Sequence, residues 1–139
     1  MEKRVSYSPL GLAITSLEDA ILFYDEKKAT GAEERELQII RAAVIRNFEF
    51  TYELAYKMIV RWLFVNRDKE EAAFATKLAH FKMAKEAGLI SSTELWNEFN
   101  GARNLTSHTY NEDNSVVVFN EALKFIQEAK NLFSRLETE

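Results

Sequence analysis

Between residues 103 and 110 the chain reads Arg103-Asn104-Leu105-Thr106-Ser107-His108-Thr109-Tyr110, which sets a permanent cation five positions before an imidazole. An imidazole with its ordinary pKa of ~6.5 takes or gives a proton near neutrality. A guanidinium recognises phosphate through a planar, bidentate fork and can stabilise charge that develops on phosphorus. Together they suit cleavage of RNA without a metal. His108 would handle the proton of the 2′-hydroxyl or of the leaving group, and Arg103 would hold the phosphorane. No carboxylate or histidine cluster with metal-ligand spacing accompanies them, so neither a metal nor a cofactor is expected.

The surroundings of this pair are unusual for a solvated helix face. At about 100° per residue, with Arg103 at zero, Ser107 falls near ~40°, Asn104 near ~100° and His108 near ~140°. Asn97, Asn100 and Gly101 share the sector, and Trp96 lies at its edge. Leu95, Phe99, Ala102 and Thr106 take the opposite side as a core face. A solvated face ordinarily mixes Glu with Lys. This arc contains neither, and offers hydrogen-bonding groups around one cation, as a surface for an anion or a polar partner would. A polar helix end closed by a capping His accounts for the same composition. Arg103 and His108 also diverge by ~140° on an ideal helix, so one protomer does not aim both at one atom unless the helix ends or loosens there. A homodimer that pools residues from two copies would resolve this.

The elements that position the segment are helical. Four Gly and one Pro in 139 residues leave room for long helices and little for a sheet with tight turns. The first helix starts near Ser8 with Pro9 in its first turn, and Leu10, Ile14, Leu17, Ile21 and Tyr24 form its apolar stripe. The second runs from about Ala32 to Asn66. Leu37, Ile40, Val44, Phe48, Ala55, Ile59 and Trp62 keep helical spacing, while Phe50, Leu54, Met58 and Phe64 widen the apolar surface, as in a central bundle member. A third helix is expected over residues 67–87 with Phe74, Leu78, Phe81 and Ala84 inward, ended by Gly88 as a left-handed cap. Ser91 with Glu94 reads as a capping box opening the fourth helix, which should end between His108 and Asn111. Asp113 or Asn114 caps a fifth, with Ala122, Phe125, Ile126, Ala129, Phe133 and Leu136 inward. The expected fold class is therefore all-α: one domain over residues 1–139, an antiparallel up-and-down bundle of about five helices.

Composition narrows the function classes. Lys and Arg number 18 against 22 Asp and Glu, a net charge of -4, so the whole chain has no electrostatic pull toward nucleic acid. Any RNA contact must be local. The absence of cysteine excludes disulfides, thiolate catalysis and Cys-ligated zinc, and suits a cytoplasmic protein. No apolar run is long enough to span a membrane, and the opening MEKRVSYSPLGL lacks a secretory apolar core.

The Arg103–Tyr110 string resembles the Arg-x4-His-x-Tyr motif of HEPN-domain proteins, in particular the HepT toxin branch, also called nucleotidyltransferase substrate-binding proteins. Arg46-Asn47-Phe48-Glu49-Phe50-Thr51-Tyr52-Glu53-Leu54-Ala55-Tyr56-Lys57 resembles that family's signature on its long helix, with Tyr56 where Trp is more usual. Ala87-Gly88-Leu89-Ile90 and Leu95-Trp96 resemble the approach to its catalytic helix. The resemblance implies a HEPN-like bundle, a homodimer, and metal-independent cleavage of RNA by Arg103 and His108, with Asn104 in support. It further implies a small nucleotidyltransferase as antitoxin-like partner, which transfers AMP to Tyr110 and silences the nuclease. A non-catalytic substrate-binding subunit of that transferase is the alternative, and a purely structural scaffold a third. Ser107 belongs to the supporting polar arc. Tyr110 falls near ~340° on the wheel, beside Arg103, where a bulky anionic adduct could block the site.

The remaining polar residues admit two readings each. Arg46, Glu49, Glu53 and Lys57 form a row at spacings of three and four, either an intrahelical ion-pair row or, for Glu49 and Glu53, a cleft wall that orients Arg103. Asn100 is a further cleft candidate. His80 reads as a surface histidine near Lys77, Lys82 and Lys85. Trp62 and Trp96 read as core or interface, and Lys124, Lys130 and Arg135 as a solvated face.

Overall fold

The computed structural model describes residues 6–138, so residues 1–5 of the opening segment lie outside it. Those described form helices α1 (Ser8–Ala29), α2 (Glu34–Asn66), α3 (Lys69–Phe74), α4 (Lys77–Glu86), α5 (Thr93–Leu105) and α6 (Glu112–Thr138), with a 3₁₀ turn at Thr106–His108. The fold is all-helical, as the spacing predicts. α1 and α2 form a hairpin whose turn contains Gly31, at φ +79°, a region closed to most side chains. α6 packs back onto both, and α5 packs against α2, α4 and α6.

α2 is the central member. Val44, Phe48, Tyr52, Ala55, Ile59 and Leu63 are buried along its length, and Met58 and Trp62 add a second buried edge. Phe50, expected to widen the core, is instead 62% exposed, and Leu54 and Phe64 are half-buried. An aromatic cluster locks α5 onto α2 and α6. The Phe125 ring lies 5.2 Å from those of Phe48 and Phe99 and 5.6 Å from that of Trp96, all edge-to-face. Such pairs add about 0.5–1.5 kcal/mol beyond area burial. Trp96, placed by the wheel at the rim of the polar arc, sits wholly inside this cluster, because its large ring reaches back under the turn before it.

The expected third helix is two. It breaks at Ala75 and Thr76, both extended, although neither Gly nor Pro stands there. Side-chain capping explains the break: Thr76 accepts from the N–H of Ala79 and opens α4 afresh, as Asp68, accepting from that of Glu71, opens α3. Phe74 consequently points outward, 84% exposed, and Leu78 is exposed too. His80 is not a surface residue. It is 6% exposed, and its Nε2 meets the Ala72 carbonyl at the end of α3, at 2.7 Å, beside the Ala75 N–H that the same carbonyl accepts.

Gly88 adopts φ +83° as predicted, with the Leu89 N–H donating to the Ala84 carbonyl. The α5 cap is Ser92 rather than Ser91, accepting from Leu95 N–H at 3.0 Å. The α6 cap is Asn111 rather than Asp113 or Asn114: its Oδ1 accepts from both their N–H groups, at 2.8 and 3.4 Å. Ile126 and Phe133 are half-buried at the edge of the α6 core face. Among the described residues, no helix is long and apolar enough to cross a membrane.

Candidate functional site

The site forms where α5 runs out over the middle of α2. Arg103, in the last turn of α5, donates from Nε to Glu53 Oε1 at 2.7 Å, and its Nη2 pairs with the same oxygen. Nη1 stands 3.6 Å from Glu49 Oε2. Thr106 closes the arrangement, its hydroxyl 2.7 Å from both Glu49 Oε2 and the Arg103 carbonyl. The Glu49 and Glu53 members of the row on α2 therefore face α5 and grip Arg103 from one side. Two carboxylates one turn apart match the reach of a guanidinium fork, so its plane is defined. Thr106, assigned to the core face from the wheel, is the bridging residue. Nothing in its sequence context marks it, because its role depends on α2.

Asn100, one turn earlier, is also fixed across the fold. Its Oδ1 accepts from the Tyr52 hydroxyl at 3.0 Å and from Lys77 Nζ at 3.1 Å. Lys77 lies 4.8 Å from the Tyr56 ring centre and 5.9 Å from that of Tyr52. Burial holds the Tyr52 phenol well above its ordinary pKa, aided by nearby Tyr56 and opposed by Arg103, so it stays a neutral donor. Tyr56 is likewise raised by burial, and its oxygen lies 2.6 Å from His80 Nδ1. Because a carbonyl can only accept, His80 Nε2 carries a proton, and in the neutral imidazole Nδ1 accepts from Tyr56. The tyrosine at this signature position thus makes a hydrogen bond in addition to packing.

His108 lies apart from this cluster. After Leu105 the helix tightens to three residues per turn, which places His108 roughly 200° around from Arg103. The two side chains share no hydrogen bond. The His108 ring is exposed, 6.4 Å from the Tyr110 ring, while its carbonyl accepts from Asn114 Nδ2 at 3.2 Å. Asn104 and Ser107 are exposed between them, and Tyr110 is 90% exposed. Gly101 has open space where a Cβ would stand, which leaves room for a close approach on that face. Among the described residues, no three His, Cys, Asp or Glu side chains converge as a metal would require.

Trp62 and Trp96 are both core residues. Lys124 bridges Glu98 and Glu121, Lys130 pairs with Glu18, and Arg135 donates to the Gly88 carbonyl, so that face ties α6 to its neighbours.

The fold and site define an all-helical bundle that presents a clamped arginine, a free imidazole and a free tyrosine around one helix end. The chain belongs to the family described as nucleotidyltransferase substrate binding protein like, whose pattern spans residues 5–138. It is 29% identical over 140 residues to the probable ribonuclease HepT of Haemophilus influenzae, covering 98% of this chain and 94% of that protein. Its fold is similar to that of a Haemophilus influenzae protein described as revealing the fold of a substrate binding domain of a nucleotidyltransferase. That similarity has a TM-score of 0.86 at 27% identity, over 95% of this chain and 99% of the other. A Thermus thermophilus protein is similar at a TM-score of 0.62 and 25% identity, over 86% of this chain and 98% of its own.

Proposed function

We propose that this protein is a metal-independent endoribonuclease of the HepT kind, the toxin of a toxin–antitoxin pair, silenced when a small partner nucleotidyltransferase transfers AMP to Tyr110. The observation that carries the proposal is the clamp on Arg103. Glu53, Glu49 and Thr106 orient a guanidinium at a helix end whose next residues leave His108 and Tyr110 in the open. In the reaction, the 2′-oxygen loses its proton to His108 and attacks phosphorus, the P–O5′ bond breaks, and the imidazolium returns that proton by way of solvent to the leaving 5′-oxygen, giving a 2′,3′-cyclic phosphate and a 5′-hydroxyl. Arg103 stabilises the added negative charge.

The divergence of Arg103 and His108 within one chain supports a homodimeric site, with a two-fold axis near α5 that brings His108 of one copy toward Arg103 of the other. One observation favours the alternative, a non-catalytic substrate-binding subunit: two carboxylates already offset much of the Arg103 charge. RNA incubated with the purified protein in chelator separates the two. Cleavage that His108→Ala reduces by at least a hundredfold supports the nuclease. Equal cleavage by that variant, or none by the unmodified protein, refutes it. Mass spectrometry after mixing with the transferase and ATP should find AMP on Tyr110 and on no other residue.

A further inference from the structure

Beneath Tyr110, between α2 and the start of α6, lies an open cavity of about 370 Å³ that the ribonuclease chemistry does not use. Its wall contains Arg41, a residue without a role in the sequence pattern and only 9% exposed. The Arg41 guanidinium is flanked by the Tyr24 and Phe119 rings, each centred 5.8 Å from Cζ. Nη2 donates to the Tyr24 hydroxyl at 3.2 Å and stands 3.6 Å from Glu34 Oε1, a carboxylate mostly in solvent. Among the described residues, Nε and Nη1 have no protein acceptor, and neither is sealed from solvent. A nearly buried cation with idle donors on a cavity wall is a site for an anion, because a buried charge demands hydrogen-bonded pairing.

We infer that this cavity holds a nucleoside monophosphate carried as a phosphodiester on Tyr110, with its phosphoryl group on Arg41. The inference rests on Tyr110 as the modified residue. Tyr110 itself lines the cavity and is otherwise 90% exposed, so an adduct on its hydroxyl has room to fold back over the opening. The charge balance selects the ligand. Glu34 stands beside Arg41 and Glu112 lines the same cavity, so the site opposes a dianion such as inorganic phosphate and suits the single charge of a diester. Glu112 can accept from ribose hydroxyls, as acidic residues do in nucleotide sites. Ala42 and Ile45 supply an apolar floor, and Gln38 supplies both a donor and an acceptor for a base edge. Docked there, the adduct ties residues 106–110 to α2 and immobilises His108.

The test uses the full chain, unmodified, titrated with the methyl ester of AMP and followed by backbone amide NMR. Saturable shifts at Thr109, Tyr110 and Ser115 are expected, with inorganic phosphate inducing none. Arg41→Gln should weaken binding about tenfold, the loss of one charged hydrogen bond. Ala42→Trp, at an exposed helix position that keeps the fold, should abolish it. No shift at these residues at millimolar ester, or shifts that survive Ala42→Trp, overturns the inference. Because these arms use unmodified protein, a transferase that adds nothing to Tyr110 refutes the silencing mechanism and leaves the binding result intact. Conversely, an adduct on Tyr110 whose ³¹P resonance is the same in wild type and Ala42→Trp overturns the cavity assignment while the modification stands.

Discussion

Replacing Glu53 by Gln tests whether the α2 carboxylates position Arg103 or merely stabilise the bundle. The substitution keeps shape and removes the charge that receives Nε and Nη2 of Arg103. The stability effect is small, because the Arg103 side chain is 29% exposed and that of Glu53 46%. Solvent screens such a pair, so its contribution is about 0.2–1 kcal/mol, a fall in Tm of about 1–5 °C for a chain of this size. The effect on turnover is much larger. With the fork loosened, Arg103 swings on the remaining Glu49 contact, and displacement of a catalytic group by about 1 Å lowers a rate on the order of a hundredfold. Affinity moves the other way: one negative charge fewer beside the phosphate site lowers KM for RNA or leaves it unchanged. Single-turnover cleavage of a labelled RNA, with urea melts of the same samples, reads all three quantities. A kcat within twofold of wild type, or a loss of activity that only tracks unfolding, refutes the positioning role. The ¹⁵Nε resonance of Arg103 provides a check independent of activity, since its protection from exchange should vanish in Glu53→Gln.

Two further predictions concern the frame. Tyr56→Phe removes the donor to buried His80 Nδ1, 2.6 Å away, and leaves that nitrogen unsatisfied. The expected loss is about 1–3 kcal/mol in urea unfolding, and a change under a few tenths would show the contact to be idle. Glu121→Gln tests a pH dependence: burial, then the neighbouring Glu98 carboxyl, raises the Glu121 pKa above its ordinary 4.5, and its Oε2 is buried without a partner. Because the folded value is the higher one, the Glu121 contribution is fully present below about 4.5 and is lost as pH rises through the raised pKa. Glu98 is shifted downward, chiefly by the neighbouring Glu121 carboxyl and then by Lys124, so its contribution is instead lost as pH falls below its ordinary value. Glu121→Gln should thus be more stable than wild type at neutral pH and flatter from pH 4.5 upward, as urea midpoints across a pH series would read. An unchanged slope refutes it.

Much of the fold is written in local pattern. The stripe from Leu10 to Tyr24, the unbroken period of α2 and the positive φ of Gly88 follow from residue type and spacing, since a helix period and a left-handed cap involve only near neighbours. The polar character of residues 100–110 was legible for the same reason. The break at Ala75 was not, because no Gly or Pro marks it and it is held by the Thr76 cap and by His80, whose partners Tyr56 and Ala72 lie far along the chain or across the break. The functional geometry is also a tertiary matter. Arg103 meets Glu53 across 50 residues of chain, Thr106 meets Glu49 across 57, and Arg41 meets Tyr24 across 17. Residue types at positions 103, 108 and 110 determine which chemistry is available. Whether the guanidinium is clamped, the imidazole free and a cavity open beneath the tyrosine depends on how α2, α5 and α6 are rotated against one another. That rotation is decided by the packing of Phe48, Trp96, Phe99 and Phe125, because rings interlocked in a close-packed core allow only one registry between the helices that carry them.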